Sequence, residues 1–393
     1  MLNLSILLSS LGREVNIFLV VSVFIFVIGL FLRRLRQPYI IAYILCGIIL
    51  GPYGFKVVNN VEVAQNIGDV GIVILMFFIG MEISLPEFVS RWRIAFFGTG
   101  MQILFSLGVV ALLGNYFNWS TNRIILLGFI IAISSSAVVI KLIENSRRPK
   151  NKLDSSVISI LLTQDVVIVP MLICITLLNG KGVDTYELIM QIIGGAAIVT
   201  SMIYLFRKKQ ITLPFHNIII KDHELQVFAA VIVCFGCALL ASFFELSASL
   251  GALVAGVFMN ASDSNKWLHD SLNSFRVILV SIFFVSVGML INLDFMAKNL
   301  PSIIGLVLIV FTVNQMVNAL SLRLLGNSWR HSMFGGALLA QIGEFSFILA
   351  SVGFAEGIIS DFTYQMSVIV IALTIFISPF WVGLIAKWVK FKV

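Results

Sequence analysis

The sequence predicts an all-α, polytopic membrane protein with about thirteen transmembrane helices. Of its 393 residues, 59% are hydrophobic and only 11% are charged, and the mean hydropathy is +1.05. A soluble globular domain carries about 25% charged residues. The apolar residues form stretches close to the ~20 residues that an α-helix needs to cross a bilayer. Basic residues lie mostly in the short loops between these stretches, as expected of a chain threaded through a membrane.

Thirteen apolar spans follow one another along the chain. They cover residues 14–32, 38–55, 67–85, 94–116, 122–144, 155–178, 186–206, 225–243, 246–261, 275–293, 301–322, 333–354 and 364–388. The ninth span is short and rich in Ser and Gly, so its boundary with the eighth is the least sharply marked. An odd number of spans puts the two termini on opposite sides of the membrane.

The basic residues orient the spans. If the loops after the odd-numbered spans and the C-terminal tail lie inside, they hold 20 of the 26 Lys and Arg residues. The opposite side holds five, and Lys141 lies within span 5. Because basic loops stay on the cytoplasmic side, we expect a protein of the cytoplasmic membrane with its N-terminus outside and its C-terminus inside.

The segments between the spans are too short for a soluble domain. The longest, Arg207 to Glu224, has about 18 residues. We therefore expect residues 1–393 to form a single membrane unit without a soluble regulatory domain, using an ion gradient rather than ATP. The net charge of +7 follows from the topology and does not indicate a nucleic-acid partner. The four cysteines lie inside apolar spans and indicate packing rather than a cofactor site.

Two spans carry polar residues at their midpoints. Span 5 contains Ser134, Ser135 and Ser136, and span 12 contains the segment Gln341-Ile342-Gly343-Glu344-Phe345-Ser346. Hydroxyl side chains can replace the backbone hydrogen bonds that are lost where a membrane helix unwinds, and in span 12 Gly343 and a carboxylate interrupt the helix. The two spans are seven apart and run in opposite directions, as expected of inverted six-helix repeats joined by span 7. The sequence predicts two crossed discontinuous helices, where transporters place ion sites.

Two charged residues near this predicted crossing each allow two interpretations. Glu344 can neutralise the positive N-terminal ends of the half-helices or bind an ion directly, and we favour the first role. Lys141 can neutralise a C-terminal end, or its ammonium group can extend to the cytoplasmic interface.

Asp165 stands at the centre of span 6, with the neutral amide of Gln164 beside it. A carboxylate at bilayer depth costs roughly 2.5 kcal/mol or more, and such residues usually face a cavity or an ion pathway. Burial disfavours the charged carboxylate, whereas a bound cation favours it. One site can therefore hold either a proton or a dehydrated monovalent cation, which would couple the two in exchange. The alternative is an aspartate hydrogen-bonded only for stability.

Several segments resemble the monovalent cation:proton antiporter-2 family, which includes Kef-type potassium-efflux and bacterial sodium/proton antiporters. They are Gly47-Ile-Ile-Leu-Gly51-Pro52, Leu75-Met-Phe-Phe-Ile-Gly80-Met-Glu82, Ser134-Ser-Ser-Ala-Val-Val139, Leu162-Thr163-Gln164-Asp165, Leu250-Gly-Ala-Leu-Val-Ala-Gly256, Phe283-Phe-Val-Ser-Val-Gly288-Met and Gln341-Ile-Gly343-Glu344-Phe. The resemblance implies thirteen helices in a homodimer surrounded by lipid. It also implies a mobile core, containing spans 122–178 and 333–388, that moves like an elevator against a dimerisation domain formed by the remaining helices.

The resemblance further implies site residues. Asp165, with Gln164 and Thr163, would bind Na⁺ or K⁺ in competition with H⁺, and Ser134 to Ser136 would form the crossover. Electrogenic members carry two adjacent Asp, where this chain has Gln164-Asp165, and many members carry a Lys where this chain has Asn314. The expected exchange is therefore electroneutral, one proton for one cation. Kef-type members also carry a C-terminal regulatory domain, so this chain resembles a short form.

Other functions remain open at this point. A sodium-coupled symporter of a small organic anion would have similar crossed helices, although an obvious set of additional polar contacts is missing from the sequence. An intramembrane aspartyl protease would need a second membrane aspartate, for which Glu344 is a poor substitute. A passive channel is the remaining alternative.

Overall fold

The computed structural model describes most of the chain. The described residues are 13–34, 37–59, 61–82, 92–145, 152–178, 186, 189–190, 193–198, 200–201, 222–244, 246–260 and 265–391. The side chains of Lys141 and Glu82 lie outside the described part, as does much of span 7.

Fifteen helices make up the described part, apart from the helical residues between 186 and 201. They are α1 (Arg13–Arg34), α2 (Tyr39–Leu50), α3 (Val61–Glu82), α4 (Trp92–Tyr116), α5 (Thr121–Ala132), α6 (Ser136–Asn145), α7 (Lys152–Leu177), α8 (His223–Phe243), α9 (Ala248–Asn260), α10 (Asn265–Met289), α11 (Leu293–Lys298), α12 (Leu300–Leu324), α13 (Trp329–Leu338), α14 (Phe345–Ala355) and α15 (Asp361–Trp388). Six described segments, in α1, α4, α7, α8, α12 and α15, are long and apolar enough to cross a membrane.

The predicted interruptions of spans 5 and 12 are confirmed. Span 5 forms α5 and α6, and span 12 forms α13 and α14. Both first halves begin at a serine whose hydroxyl caps the helix: Ser120 Oγ accepts from Arg123 N–H, and Ser328 Oγ accepts from His331 N–H. The eighth and ninth spans are also separate helices, because α8 ends at Phe243 and α9 begins at Ala248.

The structure departs from the predicted boundaries in span 2. This span was expected to reach residue 55, but α2 ends at Leu50 and Gly51 adopts an extended conformation (φ −74°, ψ −178°). The residue before a proline is disfavoured from the helical region, and Pro52 follows Gly51. The short helix α11, which precedes α12, was not anticipated either.

The described helices pack in two groups. The scaffold group consists of α1, α2, α3, α8, α9 and α10, with α9 against α3 and α8, and α10 against α2 and α3. The crossover group consists of α4 to α7 and α12 to α15, with α4 against α5 and α7, and α12 against α13. The two groups meet where α9 contacts α7 and where α15 contacts α2. Spans 122–178 and 333–388 thus lie in the crossover group together with α4 and α12.

Two glycine pairs bring helices of the scaffold group into backbone contact. Gly47 of α2 packs on Gly288 of α10, and a Cβ on Gly47 would lie 2.0 Å from the Val285 carbonyl oxygen. Gly80 of α3 packs on Gly256 of α9, and a Cβ on Gly256 would lie 2.0 Å from the Phe77 carbonyl oxygen. Small residues permit such close approach of membrane helices.

These glycine contacts also reveal the internal repeat. Position 47 corresponds to 256 and position 80 to 288, offsets of 209 and 208 residues, so exchanging the two halves converts one contact into the other. The same offset of 209 relates Ser134 to Gly343 in the two interrupted spans, and these residues contact each other. The six-helix repeat expected from the sequence therefore has a counterpart in specific backbone contacts.

Replacing Gly256 by Ala is expected to lower the melting temperature of the purified protein. The added Cβ would overlap the backbone of α3, and overpacking costs typically 1–3 kcal/mol even where side chains can adjust. Thermal unfolding in detergent measures the effect. Gly108→Ala on α4 is the matched control, because a Cβ there would meet nothing within 4 Å. Equal melting temperatures for the two variants would contradict the proposed backbone contact.

Candidate functional site

The two interrupted helices cross in direct backbone contact. After α5 ends at Ala132, Ile133 is extended (φ −93°, ψ 127°). Gly343, from the break between α13 and α14, donates its N–H to the Ile133 carbonyl over 2.7 Å. A Cβ on Gly343 would lie 2.6 Å from the Ser134 carbonyl oxygen, so glycine is required by the close approach of the two breaks.

Four consecutive carbonyls at the end of α5 accept hydrogen bonds from other parts of the crossover group. The donors are Ser346 Oγ to Ile130 O (2.7 Å), Asn314 Nδ2 to Ile131 O (3.0 Å), Gln164 Nε2 to Ala132 O (3.4 Å) and Gly343 N to Ile133 O (2.7 Å). Carbonyls at a helix end have no intrahelical partner, and an unpaired buried one costs about 1–3 kcal/mol. Side chains from three different helices therefore stabilise the interruption.

The end of α13 is satisfied in the same way. Ser134 Oγ donates to the Leu339 carbonyl over 2.8 Å, and Asn318 Nδ2 approaches the same oxygen at 3.3 Å. Asn314 Nδ2 lies 3.3 Å from the Ala340 carbonyl as well as 3.0 Å from that of Ile131. Asn314 thus bridges both breaks from α12 with a neutral amide, at the position where the family resemblance led us to expect a lysine in many members.

The backbone N–H groups of the breaks also have side-chain acceptors. Gln164 Oε1 accepts from Ser134 N–H over 3.0 Å, and Ser135 Oγ accepts from Val138 N–H over 3.3 Å. In the second half, Thr374 Oγ1 of α15 accepts from Ile342 N–H over 3.3 Å. Gln164 and Thr374 therefore perform corresponding roles in the two repeats.

Asp165 lies beside the start of α6. Ser136, the first residue of that helix, donates its hydroxyl to Asp165, with 3.0 Å to Oδ1 and 3.1 Å to Oδ2. The side chain of Asp165 is partly exposed, whereas Gln164 next to it is buried. The N-terminus of a helix carries a partial positive charge that attracts an anionic group. The start of α6 therefore holds the Asp165 carboxylate in a position that remains partly exposed.

The other predicted site residues are distributed as follows. Glu344 immediately precedes α14 and is 8% exposed, so a carboxylate also stands at the start of the second half-helix. Thr163 is buried in α7, and its hydroxyl donates to the Ser159 carbonyl over 2.8 Å. Gln164 directs its side chain into the first break, where both ends of its amide are engaged. Lys141 belongs to α6, but its side chain is among those not described.

Sequence reasoning missed two residues of the crossing, Gln102 and Thr374, and gave a third, Ser346, no role beyond its place in the span 12 segment. Gln102 of α4 contacts Gln164 and Ser134, Thr374 caps the second break, and Ser346 reaches the end of α5. Gln102 and Thr374 each stand as a polar residue within a long apolar span, which was the available signal. Ser346 directly follows the Gly-Glu-Phe segment.

Comparison with known proteins was consistent with this architecture. Residues 20–388 match the family model described as sodium/hydrogen exchanger, transmembrane. The fold matches the sodium proton antiporter MjNhaP1 from Methanocaldococcus jannaschii with a TM-score of 0.69 and 17% identity, covering 95% of this chain and 98% of that one.

Two relatives are similar in sequence. The iron transporter MagA of Paramagnetospirillum magneticum is 33% identical over 359 residues, which cover 90% of this chain and 81% of that protein. The chloroplastic K(+) efflux antiporter 1 of Arabidopsis thaliana is 28% identical over 349 residues, 86% of this chain but only 29% of the plant protein. A family match over nearly the whole chain, with an antiporter fold around the crossed helices, leads to one conclusion: this chain belongs to the sodium/hydrogen exchanger family of membrane transporters.

Proposed function

We propose that this chain exchanges a monovalent cation, Na⁺ or K⁺, for a proton across the cytoplasmic membrane by competition at Asp165. Cation/proton antiport follows from the family. The observation that carries the assignment is the contact between the Asp165 carboxylate and Ser136 at the start of α6. The Asp165 carboxylate and the Ser136 hydroxyl provide oxygen ligands, and the carboxylate provides the negative charge, that a dehydrated alkali cation requires at a crossing of interrupted helices.

The competition follows from charge. A proton and a cation would each neutralise the same carboxylate, and a bound cation favours its ionised form. Each loaded form is neutral at this group, and only neutral forms would pass readily between the two sides. Release of one species is thereby coupled to binding of the other.

The neutral donors of the crossing support a one-for-one stoichiometry. Asn314 and Gln164 satisfy the backbone of both breaks as amides, without a titrating lysine on α12. Asp165 is then the group whose charge changes during the cycle, while Glu344 stabilises the start of α14. One proton would leave for each cation bound.

The two packing groups support the proposed movement. We propose that the crossover group carries Asp165 across the membrane as a unit, while the scaffold group, held by its glycine pairs, forms a homodimer among membrane lipids. The N-terminus would lie outside and the C-terminus inside, as the distribution of basic loops predicts.

Reconstituted vesicles test the function. Purified protein is placed in vesicles containing a pH-sensitive dye, and an outward or inward gradient of Na⁺ or K⁺ is imposed. An antiporter drives protons in the direction opposite to the cation. Proton movement that requires an added organic anion would instead indicate the symporter.

Fe²⁺ belongs among the cations tested, because one relative is named an iron transporter. Among the described residues, however, no cluster of three or more His, Cys, Asp or Glu side chains could hold a metal ion. We therefore expect Na⁺ or K⁺, not Fe²⁺, to drive proton flux.

Asp165→Asn is expected to reduce cation-driven proton flux to that of empty vesicles. The amide is similar in shape but can neither bind a proton nor balance a cation. Thr176→Val is the matched control on α7, because this buried hydroxyl only donates to Leu172 of its own helix. Flux that persists in Asp165→Asn while the protein remains folded would refute the assignment.

Exchange by the unmodified protein is expected to be independent of membrane potential. One uncompensated charge crossing 100 mV changes the free energy by ~2.3 kcal/mol, about a fiftyfold change in the equilibrium ratio. Initial rates are measured at several potentials, set by K⁺ and valinomycin for Na⁺ transport and by a permeant anion for K⁺ transport. A rate or final gradient that follows the potential would contradict one-for-one exchange.

A further inference from the structure

Gln102 occupies the middle of α4 and does not contact Asp165 through any hydrogen bond found among the described residues. Its side chain is completely buried. Its Oε1 accepts from Gln164 Nε2 over 2.6 Å, and its Nε2 donates to Ser134 Oγ over 3.3 Å. A polar side chain at this depth is costly unless it is hydrogen-bonded, so these two partners explain why a glutamine is accommodated here.

The donor and acceptor of each hydrogen bond among Gln102, Gln164 and Ser134 follow from the backbone groups that these residues contact. Ser134 N–H can only donate, so it must face Gln164 Oε1; the Ala132 carbonyl can only accept, so it must face Gln164 Nε2. Gln102 must then present Oε1 to Gln164 and Nε2 to Ser134 Oγ. The single hydroxyl hydrogen of Ser134 is left for the Leu339 carbonyl, 2.8 Å away in the second break.

Gln102 therefore acts on both members of the proposed exchange pair through their chain neighbours. Gln164 immediately precedes Asp165, and Ser134 lies two residues before Ser136. If Gln102 were lost, Gln164 would lose one partner, and Ser134 would lose the donor that orients its hydroxyl. The positions of Asp165 and Ser136 relative to each other would then be less well defined.

We propose that Gln102 is a positioning residue that sets the affinity of the exchange site for the cation rather than for the proton, an inference that rests on the proposed function. A dehydrated cation needs several oxygens held at fixed distances, whereas a proton needs only one oxygen of Asp165. Loosening the pair thus weakens cation binding and leaves proton binding nearly unchanged.

Among the described titratable side chains on α4 and on the helices packed against it, Asp165 is the one that lies away from a helix end. α4 packs against α5, α7 and α12. The other titratable side chains described on these helices are all in first or last turns: Arg123, Lys152, Asp154, Cys174 and Arg323. On α4 itself, Tyr116 is at the C-terminal end.

The test compares Gln102→Leu with the unmodified protein and with Thr99→Val. Thr99 lies one turn earlier on α4 and donates to the Ile160 carbonyl of α7 over 3.3 Å, so its loss weakens the same helix pair outside the crossing. For Gln102→Leu we expect the KM for the cation to rise about tenfold, which corresponds to the contribution of one of the two buried hydrogen bonds that the substitution removes. The maximal rate should change by less than about threefold, and Thr99→Val should change neither.

The pH profile gives a readout that a purely structural role would not move. When proton and cation compete, tenfold weaker cation binding shifts the pH of half-maximal exchange upward by about one unit at a fixed cation concentration that saturates both proteins at alkaline pH. A residue needed only for folding would lower the maximal rate and leave this midpoint in place.

Gln102→Glu provides the conservative variant. A protonated glutamate can accept from Gln164 and donate to Ser134, as glutamine does, but an ionised glutamate cannot donate. The ratio of its KM to that of the unmodified protein should approach one at acid pH and rise with pH. This ratio decides the question if Gln102→Leu does not fold.

The outcomes separate the inference from the function on which it rests. A cation KM unchanged in Gln102→Leu, or a pH-independent ratio for Gln102→Glu, would overturn the inference while exchange by the unmodified protein stands. Absence of exchange in the unmodified protein would overturn both.

Discussion

A helix that stops halfway across a membrane leaves backbone carbonyls without partners in a medium that supplies none. This constraint organises the crossover group. Residues 130 to 133 each receive a hydrogen bond from a different donor, and the glycine at 343 provides one of them by approaching to 2.7 Å. Each interruption therefore stabilises the other, and α7 and α12 supply the remaining donors.

The two repeats also make corresponding contacts in the scaffold group, but they carry different side chains at the crossing. The glycine contacts of α2 with α10 and of α3 with α9 are related by exchange of the halves. At the crossing, by contrast, Gln164 and Asp165 in α7 correspond to the region of Thr374 in α15, where the second half offers a hydroxyl and no acid. The duplicated architecture thus presents the carboxylate of the proposed exchange site from one half only.

Much of the fold could be predicted from composition and spacing. Interruptions are visible in sequence because serines, glycine and an acid are costly in the middle of an apolar span. The pairing of donors with carbonyls could not be predicted, because partners such as Ser134 and Leu339 lie 205 residues apart. Gln102 is an example. A polar residue in an apolar span is visible in the sequence, but only its contacts with Gln164 and Ser134 connect it to the site. The end of α2 depended on Pro52, a local signal that the hydropathy pattern obscured.

The amides and hydroxyls that hold the two breaks together have a consequence for the conditions under which the protein can operate. Asn314, Gln164, Gln102 and Ser134 neither gain nor lose protons between mildly acidic and strongly alkaline surroundings. A crossing held by lysine would change its own charge over part of that range. Here the framework stays chemically constant, and under the proposed exchange only the carboxylate beside it would respond to acidity, so that proton binding and structural support fall to different side chains.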